Sequence, residues 1–166
     1  MARTKGKKDW PSFLSPKPNA PYGVITEPML TSPAMKALVK KSPASILLYI
    51  LAQEQRHFAK NHAGRTRATK DAKAFPIDTP QASEMGVTAD CFYLNMKLAK
   101  DRGIFTSKSG LQGGIKALIA LGFMDKVATL RPVYGMTYGV YRLSHRWCTL
   151  TEAEIKKALE VIKRSS

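Results

Sequence analysis

The chain has 166 residues, 44% of them hydrophobic, with 27 Lys and Arg against 12 Asp and Glu for a formal charge of +15. That apolar content suits one compact domain, and the surplus of positive charge favours a polyanionic partner such as nucleic acid over acidic proteins or small acidic substrates. The longest apolar stretch, Ile46–Ala52, is too short to cross a bilayer and no hydrophobic segment follows the basic N-terminus, so neither a membrane anchor nor a secretory leader is expected.

A soluble, cytoplasmic protein is the expectation. Cys91 and Cys148 belong to no Cys-x-x-Cys pair and read as free thiols. Residues 1–21 hold Arg3, Lys5, Lys7, Lys8 and Lys17 against Asp9, with four prolines between Pro11 and Pro21. They read as a flexible basic arm, either lying along phosphates or in a minor groove, or solvated and kept for solubility. Ordered structure is expected from residue 22, with a short β-like contact at Val24-Ile25. Ser32-Pro33 supplies an N-cap and a first-turn proline for a short helix to about Lys41. Ser42-Pro43 repeats the device ahead of the strongest helical pattern in the chain, in which Ile46, Leu47, Ile50, Leu51 and Phe58 share one side. Arg56, His57, Lys60 and His62 suit the negative end of that helix.

The stretch at about residues 63–74 carries Arg65, Arg67, Lys70 and Lys73 against Asp71 without apolar periodicity. It reads as an exposed basic loop, either a second phosphate-contacting element or a solvated linker. Phe75–Asp78 is expected to be extended, and Thr79-Pro80 to cap a short helix ending at Gly86. Cys91–Asn95 is rich in β-formers, and Met96–Arg102 follows as a short helix stopped by Gly103. Ser109 is expected to cap a helix running to Leu121, with Leu111, Ile115, Leu118 and Ile119 on its apolar side and Gly122 ending it. Phe123–Val127 and Thr137–Leu143 read as strands around a turn containing Arg131, Pro132 and Gly135, hence a β-hairpin. In residues 149–166, Thr151 and Glu154 form a capping box for a last amphipathic helix striped by Ile155, Leu159 and Ile162. That stripe offers a homodimer or partner interface, or packs on its own domain. No internal repeat is present.

A long helix, a short strand, a short helix, a turn, a second helix and a hairpin follow one another. The expected fold is therefore α+β, mainly α: a winged helix-turn-helix over residues 22–148 with a small β-hairpin wing. The stretch Phe92–Phe105, followed by Lys108-Ser109, Ile115–Met124 and Tyr141–Trp147, together with the lead-in Met29–Ala34, resembles winged-helix proteins of mobile elements. Plasmid replication initiators and phage replication proteins belong to that group. The resemblance covers about residues 24–148 and rests mostly on core and turn positions. It implies replication initiation or a related DNA transaction of a plasmid, phage or integrative element. The Leu-x-x-x-Gly-Phe ending of the second helix is shared with bacterial transcriptional regulators, which makes an operator-binding regulator the alternative.

Double-stranded DNA is the expected partner, with the second helix in the major groove. The expected contacts are Lys97, Lys100, Arg102, Lys108, Ser109, Gln112, Gly113, Lys116, Lys126, Arg131 and Tyr134, with Arg142 and Arg146 beside the hairpin. Arg3, Lys5, Lys7, Lys8, Arg65, Arg67 and Lys70 are expected as secondary phosphate contacts. Gln112 suits adenine and Lys116 guanine. Lys97, Lys100, Arg102, Lys108, Lys126, Arg131, Arg142 and Arg146 as a set would neutralise roughly five to eight phosphates, for a salt slope of about −5 to −7. Tyr134 and Tyr138 either stack on bases or pack within the hairpin. Gly110, Gly113 and Gly114 stand where such helices expose larger side chains, and serve either a close approach to DNA or tight helix packing.

No chemistry-bearing pattern competes. There is no Walker loop, and Gly110–Gly114 lacks the dinucleotide-binding spacing. His57 and His62 are misaligned on a helix, His145 and Cys148 make at most one ligand pair, and no His-x-His accompanies a tyrosine. The acids are scattered. No catalytic residue, metal or cofactor is expected. A protein-interaction adaptor using the last helix, and an RNA-binding protein, are the rivals from other classes.

Overall fold

A computed structural model describes residues 23–61, 80–88, 90–94, 96–130 and 138–163. The elements are α1 (Glu27–Thr31), α2 (Pro33–Lys41), α3 (Ala44–Asn61), α4 (Pro80–Glu84), β1 (Phe92–Tyr93), α5 (Met96–Asp101), α6 (Lys108–Ala120), β2 (Met124–Leu130), β3 (Tyr138–Leu143) and α7 (Glu152–Lys163), with a 3-10 turn at Arg146–Cys148. The fold is α+β and mainly helical, with one three-stranded antiparallel sheet. The expected arm at 1–21, the basic loop at about 63–74, the extended Phe75–Asp78 and the hairpin turn with Arg131, Pro132, Tyr134 and Gly135 lie outside the described residues.

One buried serine closes α1 and opens α2. The Ser32 hydroxyl donates to the Met29 carbonyl at 2.7 Å and accepts from the Met35 N–H at 3.1 Å. This is the expected cap, whereas the turn of helix before it had no signal beyond the lead-in. At the next junction the Ser42 hydroxyl pairs with that of buried Ser45 at 2.6 Å instead of capping an N–H. Backbone bonds from Ser45 to Ser42 and from Ile46 to Pro43 start α3.

The buried face of α3 is displaced from the expected one. Ser45, Leu48, Tyr49, Leu51, Ala52 and Gln55 are buried, while Leu47 is 52% exposed and Ile46 and Ile50 are half-buried. The sheet and α6 pack on the Leu48 side of the helix. Ile50 instead meets Gly23, where a Cβ would stand 2.5 Å from its Cγ2. At the expected β-like contact of Val24-Ile25 no strand forms among the described residues. The Gln53 amide takes the partner strand's part, accepting from the Val24 N–H at 2.6 Å and donating to its carbonyl at 2.8 Å.

The sheet runs β1-β3-β2, and both faces are covered. Phe92, Tyr141 and Met124 face the main core, while Tyr93, Val140 and Ala128 meet Ala82, Val87 and Cys91 around α4. The pairing jumps from Lys126 opposite Tyr141 to Ala128 opposite Val140, so Val127 is an extra residue in β2. Strand residues alternate faces, so this bulge moves Ala128 to the α4 side. In the main core Phe123 meets Tyr49 edge-on at 5.5 Å and stacks on Trp147 at 6.0 Å. Burial raises the hydroxyl pKa of Tyr49 and Tyr141, and burial reinforced by Cys91 pushes that of Tyr93 up to about 12.

The capping box of α7 is formed. The Thr151 N–H donates to Glu154 Oε2 at 2.8 Å, and the Glu154 N–H to Thr151 Oγ1 at 3.3 Å. The Thr151 N–H and the Thr151 hydroxyl, which donates to the same Oε2 at 2.7 Å, hold the Glu154 carboxyl below its usual pKa. Ile155, Ala158 and Ile162 are buried against α6 and α2, with Leu159 half-buried. The stripe thus packs into the main core of its own chain.

Candidate nucleic-acid interface

The cap of helix α6 lies two residues before the expected one. Ser107, not Ser109, is its N-cap, and its hydroxyl accepts from the Gly110 N–H at 3.1 Å. Both serines satisfy a generic capping pattern, but only Ser107 is extended ahead of the first turn. Ser109 is left on the surface. At the other end Gly122 takes φ of +75, and a Cβ there would lie 2.7 Å from the Trp147 nitrogen. Glycine is required at this position on both counts.

The three glycines inside α6 have different surroundings. A Cβ on Gly114 would come within 2.7 Å of Phe105 Cζ and 3.1 Å of Leu48 Cδ2, and one on Gly110 within 3.1 Å of Phe105 Cδ1. The ring of Phe105 lies across both, so these glycines serve packing between the turn and α6. A Cβ on Gly113 would meet no described atom within 4 Å. Each interior glycine costs about 0.5–1 kcal/mol relative to alanine.

With Leu111, Gly114, Ile115, Ala117 and Leu118 buried, the solvent strip of α6 carries Lys108, Ser109, Gln112 and Lys116, beside half-buried Gly113. The helix contains no acid. Residues four apart stack on one face, so Gln112 stands between Lys108 and Lys116 along the strip. Helix α5, joined to α6 through Gly103 at φ +66, adds exposed Lys97 and Lys100. Lys126 on β2 and Arg142 on β3 are also exposed.

Two expected contacts, both on the surface, are engaged in ion pairs with carboxylates of the same chain. Arg102 pairs with Glu54 of α3. Arg146 binds Asp125 through Nε at 2.9 Å and through its second nitrogen at 2.7 Å, and donates to the Ile119 carbonyl at 3.2 Å. Each arginine has its carboxylate far away in sequence, which spacing cannot show. Arg102 ties the turn to α3, and Arg146 ties the end of α6 to β2. Phe105 was also missed as a residue that sets α6, although glycines four apart just after an aromatic were a usable signal.

Arg131 and Tyr134 lie outside the described residues, as do Arg3, Lys5, Lys7, Lys8, Arg65, Arg67 and Lys70. Among the described residues no group of three or more His, Cys, Asp or Glu stands together, and no helix is long and apolar enough to cross a membrane. The Cys148 thiol donates to the His145 carbonyl at 2.7 Å. Comparison with protein-family models, with curated proteins and with solved structures gave no match.

Proposed function

We propose that the chain is a non-catalytic winged-helix protein that binds double-stranded DNA, with α5, the turn and α6 as its helix-turn-helix and α6 as the helix placed in the major groove. The single observation that carries this reading is the acid-free solvent strip of α6, Lys108-Ser109-Gln112-Lys116, on a chain of charge +15. Lys108 here suits a phosphate, and Gln112 and Lys116, one turn and two turns further on, suit base edges. The chain order α3, β1, α5, α6, β2, β3 and the sheet order β1-β3-β2 support the winged-helix form. Arg102 and Arg146 engage carboxylates of the chain, and the other expected phosphate contacts around the helix-turn-helix and hairpin are Lys97, Lys100, Lys108, Lys126 and Arg142, with Arg131 outside the described residues. About six contacts correspond to a salt slope of about −5.

The role that the sequence resemblance favours is replication initiation or a related transaction of a mobile element, with operator-binding regulation as the alternative. The apolar stripe of α7 is spent inside the core, which takes from the adaptor and homodimer readings the surface they relied on.

Fluorescence anisotropy against random duplex DNA, single-stranded DNA and duplex RNA over a salt series tests the proposal. Duplex DNA should be preferred at physiological salt, and charge reversal at Lys97, Lys100 and Lys108 should weaken all duplex binding and flatten the slope by about three. Unchanged binding in that triple variant removes α5 and α6 from the interface. A selected motif that maps to clustered repeats indicates an initiator, and one that maps to a promoter indicates a regulator.

A further inference from the structure

Glycine inside a helix weakens it, so its presence needs a compensating use. Gly110 and Gly114 have theirs under the Phe105 ring, whereas the Cβ position of Gly113 is open among the described atoms. Gly113 also sits amid the candidate contacts, beside Gln112, one turn after Ser109 and one turn before Lys116. We propose that Gly113 is the point of closest approach between α6 and its ligand. On the DNA-binding reading, on which this inference rests, the bare backbone seats the helix deeper in the groove than any side chain would allow.

The chemistry of the ligand follows from that geometry. The approach needs a groove wide enough to admit a helix, which B-form DNA offers in its major groove and duplex RNA does not, its major groove being deep and narrow. Gln112 and Lys116 flank the bare position. Bringing the helix axis closer shortens the distance each must span, so fewer and shorter side chains suffice to reach base edges. A methyl group at position 113 would stand between helix and groove wall without removing any charge, so affinity would change while counterion release would not.

The test uses the full chain as wild type, Gly113→Ala and Gly113→Leu, reading the thermal midpoint and the anisotropy of a labelled random-sequence DNA duplex. Gly113→Ala should raise the midpoint by about 1–4 °C, through better helix propensity. It should weaken duplex binding about tenfold, equivalent to about 1.4 kcal/mol, with an unchanged salt slope. Gly113→Leu should weaken binding further. Wild-type affinity in a stabilised Gly113→Ala overturns the inference and leaves DNA binding standing. A lowered midpoint overturns it too, because Gly113 would then be a packing position. Failure of the wild type to bind the duplex at physiological salt removes the reading beneath it, and the inference with it.

Discussion

Helices α6 and α7 lie against each other and solve opposite problems. On α7, Lys156, Lys157 and Lys163 alternate with Glu152, Glu154 and Glu160, the first turn carries acids, and a reciprocal cap closes its start. Its design is self-sufficient: charges balance, the dipole is complemented, and the apolar stripe is used inside the chain. On α6 the exposed charges are all positive and three of thirteen residues are glycine. Its stability is borrowed from Phe105, Leu48 and the clasp of Arg146 on Asp125 and the Ile119 carbonyl. A helix held by its neighbours is free to give its solvent face to something other than its own stability.

That contrast can be broken at graded points. The largest effect is expected from Gly122→Ala, which forces a side chain into positive φ and against the Trp147 nitrogen. It should cost about 2–4 kcal/mol, read as a lower urea midpoint at unchanged m. Gly114→Ala comes next, losing about 1–3 kcal/mol where Phe105 and Leu48 must yield, in contrast to the gain expected at Gly113 one residue away. The smallest effect belongs to α7. Glu154 has its folded pKa below the usual 4.5, so its cap contributes fully above the unfolded value and is lost as pH falls through the folded one. A Glu154→Gln variant should therefore lower the thermal midpoint by a few degrees near neutrality, and the difference from wild type should vanish in acid.

The self-sufficient parts were also the legible ones. Ser32-Pro33, the Thr151 and Glu154 box, and the stops at Gly103 and Gly122 are local signals, and each acts in the structure as its pattern implies. What could not be read depends on distant partners. The buried face of α3 is set by where the sheet and α6 arrive, so Leu48 is buried and the expected Leu47 is exposed. The allegiance of Arg102 is decided by Glu54 on α3, and that of Arg146 by Asp125 across the end of α6. At α6 the expected residues Lys108, Ser109, Gln112 and Lys116 do share one strip, because helical periodicity alone places them there. The glycines were ambiguous in sequence because only a neighbour's position separates a packing contact from an open one.

The extra residue at Val127 bears on how these molecules behave at high concentration. Strand β2 lies at the outside of the sheet, with one flank turned away from β3. A flat, regular flank of that kind recruits strands from other molecules. Here the bulge interrupts the spacing of donors and acceptors midway along the strand, and exposed Lys126 sets a charge beside the break. An incoming strand finds only short regular runs on either side, so the hairpin resists edge-to-edge aggregation.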